Sequence, residues 1–335
     1  MQISTIREFA WPLILAALIA TMLVATQMGQ DDDVRTLRWA HVYEIGSPYH
    51  QQALWAAQEF ERLTGGRYRI HVFPASALGN ESAINEALLL GALDIIYTAA
   101  SFVANDFPPI ALSDFPYALE DFAHWKSYRD SELFRELAQG YGRATDTRIL
   151  GLTYYGFRHV TSNKPILHPD DMRDLKIRVP NAPMFLILPE ATRANASPMP
   201  FEEVYLALQQ GVVDAQENPL TTIQFKRFHE VQSHINLTGH IMPSLLTLVS
   251  TRLLAGLRDE DAALLADIVR RAADRASEDI ARSEVELIDW FIDQGVSVNQ
   301  VNRSAFRAAV EEEFRDRRYP FDPQYLVRLR ALVPQ

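Results

Sequence analysis

The chain has 335 residues, 48% of them hydrophobic and 22% charged, which is enough for two globular domains. Its formal net charge of −11 argues against a nucleic-acid-binding protein, because phosphate contacts require clustered Lys and Arg. The chain has no cysteine, which excludes disulfides, thiolate metal sites and a cysteine nucleophile. No low-complexity tract or internal repeat is visible, and this argues against solenoids and propellers.

The N-terminus has the pattern of an export signal. Arg7 precedes an apolar run over 10–25, and polar residues follow at 30–33. The run is short for a membrane-spanning helix, and Pro12 weakens it further. We therefore predict a signal peptide over 1–30. Because no clean cleavage site follows, an uncleaved tether to the inner membrane stays open, as does a buried N-terminal helix.

Strand-like and helix-like segments alternate from Thr36 onward. The pattern predicts, in order, a strand over 36–42, a helix over 47–66, a strand over 67–74, a helix over 81–94 and a strand over 95–99. A strand–helix–strand–helix–strand opening is typical of a parallel sheet covered by helices.

A second unit of the same kind follows. The pattern predicts a helix over 124–142, strands over 148–163, 174–180 and 212–220, and a helix over 201–211. Helical spacing then continues without a break over 259–293. A helix of this length is rare inside one compact domain, so we expect this helix to run along two domains. The sequence thus predicts two α/β lobes and one long helix.

Several anion-binding groups fall at the ends of predicted strands. Leu175, Ile177 and Val179 alternate like a strand with one buried face, so Arg178 points to the other face, and Pro180 ends the strand. Alone, such an arginine is better interpreted as a surface charge or a structural ion pair.

Other strand ends carry similar groups. Arg158 and Asn218 end two more predicted strands, and Asn181 follows Arg178 closely. Ligands of open α/β sheets bind beyond the carboxyl ends of strands, and the guanidinium fork can hold a carboxylate by two parallel bonds. The set therefore indicates an anion site. No P-loop, nucleophile elbow, dinucleotide fingerprint or zinc-binding helix motif occurs, so nothing names a reaction.

These residues lie in blocks that match a known family. The blocks are DLKIRVPNAPMF (174–185), NASPMPFEEVYLALQQGVVDAQENPLTTI (195–223), GFRHVTSNKPI (156–166), SPYHQQA (47–53) and FPASALGNE (73–81). The chain closely resembles the substrate-binding subunit of TRAP transporters from residue 36 to the end. It is thus expected to be a binding protein and not an enzyme.

The resemblance implies an α/β, two-domain periplasmic binding protein fold with hinge strands and one long helix spanning both domains. We expect domain I at 34–155 plus 244–283 and domain II at 156–243 plus 284–335, with the ligand cleft between them. Proteins of this kind capture an organic acid in the periplasm and deliver it to the small and large membrane subunits of a permease. No cofactor, metal ion or nucleic-acid partner is implied, and a monomer is expected.

The resemblance also assigns roles to residues. Arg178 matches the family arginine that forms a bidentate salt bridge with the ligand carboxylate, Asn218 matches an asparagine that hydrogen-bonds it, and Arg158 is expected beside it. Further candidates match pocket positions or are placed at the ligand by position: Asn181, Phe201, His41, Tyr43, Glu81, Phe102 and Tyr155.

The ligand is expected to be compact. Sialic-acid binders of the family carry a glutamate and an arginine in the loop after the third strand, where this chain has Ala99 and Phe102. A 2-hydroxy acid, a 2-oxo acid or a compact sugar acid fits better. A C4-dicarboxylate stays open as a ligand and needs a second cation, from Arg158 or His41. Two further hypotheses for the function are a sensor-linked binding protein and an exported hydrolase or lyase.

Overall fold

The structure, a computed structural model, describes residues 34–315 and 319–334, so the predicted signal segment over 1–30 lies outside it. Strands and helices alternate along the described chain. The strands are β1 (Arg35–Ala40), β2 (Tyr68–Phe73), β3 (Ile95–Ala99), β4 (Thr147–Tyr154), β5 (Arg158–Ser162), β6 (Lys176–Val179), β7 (Asn195–Pro198), β8 (Ala215–Pro219), β9 (His234–Ile241), β10 (Ser244–Ser250) and β11 (Ser297–Asn299). The helices are α1 (Pro48–Leu63), α2 (Glu81–Leu89), α3 (Phe122–Asp130), α4 (Glu132–Thr145), α5 (Ile187–Thr192), α6 (Val204–Gln209), α7 (Leu220–Phe225), α8 (Thr251–Ala255), α9 (Asp259–Asp293), α10 (Arg303–Glu313) and α11 (Gln324–Arg330).

The strands form two sheets, with the orders β2-β1-β3-β10-β4 and β11-β9-β5-β8-β6-β7. In the first sheet β1 is parallel to β2 and β3, while β10 is antiparallel to β3 and β4. In the second, β6 is parallel to β7 and β8, while β5 is antiparallel to β8 and β9. We call the first sheet with its helices the first lobe and the second sheet with its helices the second lobe. The predicted α/β class is confirmed.

Side-chain caps set several helix starts. The Ser47 hydroxyl accepts a hydrogen bond from the His50 N–H at the start of α1, and the Asn80 amide oxygen accepts one from the Ala83 N–H at the start of α2. The predicted helix over 124–142 is instead two helices. Ser131 separates them, because its hydroxyl donates to the last turn of α3 and accepts from the first turn of α4.

The chain crosses between the lobes at two short segments. The predicted strand over 148–163 is in fact β4 and β5, which belong to different sheets. Gly156 lies between them with φ of +96°, a conformation that favours glycine, and a Cβ there would lie 3.0 Å from the Glu284 carboxylate. The chain returns at 242–243, between β9 and β10.

The long helix joins both lobes. α9 spans the predicted range 259–293 and contacts β4 and α1 of the first lobe and α7 and β11 of the second. Its apolar stripe repeats at helical spacing. The buried apolar members are Leu265, Ile268, Val269, Ala272, Ala273, Ala276, Ile280, Leu287 and Phe291.

The C-terminal segment returns to the first lobe. α10 packs on α5 and β9 of the second lobe, whereas α11 packs on α4 and on the 3-10 segment Pro108–Asp114. The ring Nε2 of His124 lies 2.8 Å from the Leu329 carbonyl oxygen. The sequence placed all of 284–335 in the second domain, but residues 319–334 contact the first.

One helix–turn–strand unit occurs in both lobes. The Arg38 N–H donates to the Asp94 carboxylate at 2.8 Å, and the Lys176 N–H donates to the Asp214 carboxylate at 3.1 Å. Each aspartate N–H donates back to the carbonyl of its partner. The sequences share the pattern Ala-Leu-x-x-Gly-x-x-Asp, ALLLGALD at 87–94 and ALQQGVVD at 207–214, which is too short to identify a repeat from the sequence. The unit directs β3 and β8 toward one cavity.

Candidate functional site

The site is a cavity of about 160 Å³ between the two lobes. The ends of β3, β6 and β8 reach it, as strand ends do in open α/β sheets. The first lobe contributes Val42, Tyr43, Asn80, Glu81, Ser82, Ala99 and Phe102. The chain from the crossing segment onward contributes Tyr155, Arg158, Arg178, Pro180, Asn181, Phe185, Met199, Pro200, Phe201 and Asn218. All the predicted ligand residues except His41 line this cavity.

Arg178 lies at the end of β6 and is only 2% exposed. Its Nε and Nη2 donate to the Met199 carbonyl oxygen at 3.1 and 2.7 Å. Its third nitrogen, Nη1, is buried and makes no hydrogen bond with a described residue. Burial lowers the pKa of Arg178 to about 10, so the group still carries its charge at neutral pH. The cavity thus contains a desolvated cation with an unused donor.

Arg158 is also 2% exposed, but its charge is compensated. Its Nε and Nη2 both donate to the carboxylate of Glu217, and Nη2 also donates to the Glu217 carbonyl oxygen at 2.6 Å. The His240 ring Nε2 lies 3.1 Å from the same carboxylate. Burial opposes ionisation of Glu217, but the Arg158 charge and these hydrogen bonds keep its pKa below the ordinary value. Arg158 and Glu217 therefore form a neutral pair at the cavity wall.

The Asn218 amide belongs to the same network. Its oxygen accepts from Arg158 Nη2 at 3.2 Å, and its nitrogen donates to the Gln216 side chain, which in turn donates to Thr161. An amide nitrogen has two hydrogens, so one remains for a ligand. Asn218 lines the cavity at the expected place, and its predicted bond to a carboxylate stays a prediction.

Aromatic rings form one wall. The rings of Tyr43, Tyr49 and Tyr155 contact one another, with centroids 4.7 to 5.5 Å apart. Phe185 lies under the Arg158 guanidinium, whose carbon is 4.8 Å from the ring centroid. Phe201 lies 6.0 Å from the guanidinium carbon of Arg178. These rings exclude water and strengthen any electrostatic contact inside.

Glu81 is the first residue of α2 and faces the cavity. Its Oε1 accepts from the Ala99 N–H at 2.7 Å and from the Thr98 hydroxyl at 3.3 Å. Burial raises the pKa of Glu81 to about 7. The group can therefore accept or donate a hydrogen bond near neutral pH.

His41 does not line the cavity. Its ring accepts from the Tyr43 N–H at 3.1 Å and lies 3.1 Å from the His50 ring nitrogen. Burial lowers the pKa of His41 to about 3, with the nearby His50 adding to the effect, so the ring is neutral. Its hydrogen bond with the Tyr43 N–H helps to position Tyr43, which does line the cavity.

Sequence reasoning missed several residues of the site. Phe185 and Met199 lie inside the sequence blocks quoted above, but their residue types do not indicate a site. Phe185 is typical of a hydrophobic core, and Met199 contributes its backbone carbonyl, which any residue could supply. Glu217 directly precedes Asn218, but its pairing with Arg158 depends on the register of β5 against β8. Asn80 had a signal as the cap of α2.

The described residues offer neither a metal cluster nor a membrane-spanning helix. No group of three or more His, Cys, Asp or Glu side chains suited to a metal occurs within 34–315 and 319–334. In the same ranges, no helix has the length and apolar character needed to cross a bilayer.

Two lobes around a buried, cation-bearing cavity are the arrangement of a solute-binding protein. The chain belongs to the bacterial extracellular solute-binding protein family 7, the DctP family, whose model matches residues 39–318. Its relatives are substrate-binding proteins of TRAP transporters and not enzymes, which confirms the resemblance found in the sequence. Proteins of this family are periplasmic.

Named relatives support the same assignment. The chain is 31% identical to the sialic acid-binding periplasmic protein SiaP of Vibrio cholerae, over 84% of this chain and 88% of that one. It is similar to a TRAP periplasmic solute-binding protein from Polaromonas bound to D-erythronate, with TM-score 0.84, 27% identity, and 90% and 100% of the chains covered. A Roseobacter denitrificans protein with bound L-galactonate gives TM-score 0.83 and 28% identity, with 90% and 99% covered. The predicted two-domain fold is confirmed.

Proposed function

We propose that this protein captures a small sugar acid or related hydroxy acid, holds its carboxylate on Arg178, and delivers it to a TRAP permease. The observation that supports this most directly is the buried Nη1 of Arg178, which has no partner among the described residues. A buried donor without a partner is costly, and a ligand carboxylate would satisfy it.

The charge of the site favours a monocarboxylate. Arg158 is paired with Glu217, so of the two arginines only Arg178 has its charge uncompensated by a carboxylate. His41 is neutral and lies outside the cavity, so it supplies no second cation. A C4-dicarboxylate would bring a second negative charge near Glu81, and the residues that line the cavity offer no second uncompensated cation to offset it. The charge balance therefore argues against a dicarboxylate ligand.

The hydroxyl groups of a sugar acid have partners available. Glu81, Asn218 and Asn181 offer oxygens and amide hydrogens around the same cavity. Relatives solved with D-erythronate and L-galactonate support this class of ligand. The same wall is rich in aromatic rings, which suit the carbon skeleton of a compact acid.

Binding would be coupled to closure of the lobes. We propose as hinges the two crossing segments, 155–157 and 242–243, which are short connections between strands of the two sheets. The domain limits are proposed as predicted, except for the C-terminal contact with the first lobe. A ligand held by Arg178 and Glu81 touches both lobes, so it favours the closed arrangement by its differential affinity. We propose export to the periplasm through the N-terminal segment. A tether has no support from the described residues.

Calorimetric titration tests the function. Purified protein, first unfolded and refolded to remove any carried-over ligand, is titrated with D-erythronate, L-galactonate and succinate. Binding of a sugar acid and not of succinate is expected. No binding of any monocarboxylate by folded protein would contradict the proposal. Delivery is tested by sugar-acid uptake into vesicles that contain the small and large permease subunits, with and without the protein, and a sensor-linked role predicts no uptake.

A further inference from the structure

We infer that Phe102 sets the length of the acid that the site accepts, by separating the ligand cavity from a second, polar pocket next to it. The inference rests on the proposed function and goes beyond it, because it names the residue that selects among acids. The second pocket has a volume of about 340 Å³, roughly twice that of the ligand cavity.

The two spaces share a wall. Ser82, Phe102 and Asn181 line both of them. Ser82 and Phe102 belong to the first lobe, whereas Asn181 follows β6 of the second. The ring of Phe102 also contacts that of Phe185 in the second lobe, with centroids 6.5 Å apart. The wall is therefore complete only when the lobes are together.

Phe102 is held in a rigid segment. It lies in the 3-10 turn Ala100–Val103, whose Ser101 N–H and hydroxyl both donate to one oxygen of Asp114, at 3.0 and 2.5 Å. The other oxygen of Asp114 accepts from the Ser113 hydroxyl and the Ser244 N–H. Asp114 is fully buried. Because both oxygens are engaged, the backbone of the turn is fixed to β10, which sets the point from which the Phe102 side chain extends into the shared wall.

The far side of the wall suits a hydroxylated chain. Ser82, Ser101, Asn105 and Asn181 give the second pocket hydroxyl and amide groups. Ser82 and Asn181 can be reached from the ligand cavity, whereas Ser101 and Asn105 line only the second pocket. The Phe102 ring lies in the shared wall, between an acid with its carboxylate on Arg178 and these last two groups. With the ring in place, a hydroxylated tail meets an apolar surface and leaves its hydroxyls unpaired. Phe102 thus excludes long acids and retains short ones.

The test compares acids of different length on Phe102→Ala. Dissociation constants are measured by calorimetry for D-erythronate, which has a four-carbon backbone, and for N-acetylneuraminate, which has a nine-carbon backbone. We expect the ratio of the long-acid to the short-acid dissociation constant to fall at least tenfold in Phe102→Ala. Phe102→Leu retains part of the wall, so its ratio should lie between those of the wild type and Phe102→Ala. If the alanine variant does not fold, the leucine variant alone tests the inference.

Phe134→Ala is the matched control. Phe134 is also a half-buried phenylalanine of the first lobe, but it packs on Tyr128 away from the cavity. Its ratio should stay at the wild-type value. The inference is overturned if both Phe102 variants keep the wild-type ratio while short acids still bind. If wild-type protein binds no acid at all, the proposed function itself fails, and the two failures are thereby distinguished.

Discussion

Arg158 and Glu217 neutralise each other inside the protein, each with a side chain only 2% exposed. The guanidinium donates through two nitrogens to the carboxylate and once more to the Glu217 carbonyl oxygen. Of the two arginines that line the cavity, one is thus part of the protein's own framework. Among the described residues Arg178 donates only to the Met199 carbonyl, and it is the arginine that we propose binds the ligand.

Replacement of Arg178 should abolish most of the binding. We expect Arg178→Ala to weaken sugar-acid binding by about 3–5 kcal/mol, because it leaves a desolvated carboxylate without its partner. Arg178→Lys should also bind more weakly, since an ammonium cannot reproduce the two parallel bonds of the fork. Calorimetric titration of each variant gives the change directly.

A charge-matched control separates this effect from net charge. Arg173→Ala removes one positive charge from an exposed arginine of the second lobe, which pairs only with Asp170 three residues away. Its affinity should equal that of the wild type. An unchanged affinity of Arg178→Ala would remove Arg178 from the site.

The buried pair should act on stability as a unit. Glu217→Gln and Arg158→Met are each expected to lower the free energy of unfolding by about 3–5 kcal/mol, because each leaves one buried charge without its partner. The double variant should lose much less than the sum, since no unpaired charge remains. Urea unfolding of the ligand-free proteins measures all three, and additive losses would show that the pair is not coupled.

The strand-end pattern found most of the cavity. Arg178 and Asn218 lie near the carboxyl ends of β6 and β8, as predicted. Arg158 was also predicted to end a strand, but it begins β5 and reaches the cavity from the amino end of that strand. The sequence could not predict that Arg178 keeps an unused nitrogen or that Glu217 compensates the charge of Arg158, because both depend on the register of the sheet. His41 ends a strand in the same way, yet its ring turns away to meet His50, one turn into the next helix.

The periodicity of apolar residues also did not show where the chain crosses between the lobes. Strand-like residues continue from β4 into β5, so local sequence predicts one strand where the chain crosses between sheets. The signal that was present lies far along the chain. Glu284 interrupts the buried stripe of α9 between Ile280 and Leu287, and its carboxylate accepts from the Phe157 N–H of the crossing segment at 2.6 Å.

Glu284 should make stability depend on pH. Burial raises the pKa of Glu284 to about 7, while hydrogen bonds from the Tyr154 hydroxyl and the Phe157 N–H oppose the rise. The folded protein therefore keeps this proton up to about pH 7, whereas the unfolded chain releases it at the ordinary pKa of about 4.3. Relative to Glu284→Gln, the wild type should lose stability as pH rises from about 4.5 to 7, by about 4 kcal/mol at most.

The difference between variant and wild type removes the contribution of the other titrating groups. Unfolding free energies are measured at several pH values for the wild type, Glu284→Gln and Glu278→Gln, whose carboxylate is 60% exposed on the same helix. Only the Glu284 variant should show a difference that changes with pH. A constant offset for that variant would mean that Glu284 stays ionised in the folded protein.

The ion pair between Lys226 and Glu44 joins the lobes outside the cavity. Lys226 Nζ of the second lobe lies 2.7 Å from the Glu44 carboxylate of the first, and the two side chains are 16% and 29% exposed. Because the contact exists only with the lobes together, Lys226→Met should speed ligand release. A partly exposed pair contributes about 0.2–1 kcal/mol, so the dissociation constant should rise by about two- to fivefold at most.

The effect of Lys226→Met on ligand release should shrink in high salt, which screens exposed charges. Stopped-flow dissociation at two salt concentrations measures it, and the exchange of both residues, Lys226→Glu with Glu44→Lys, should restore slow release if the attraction itself holds the lobes together.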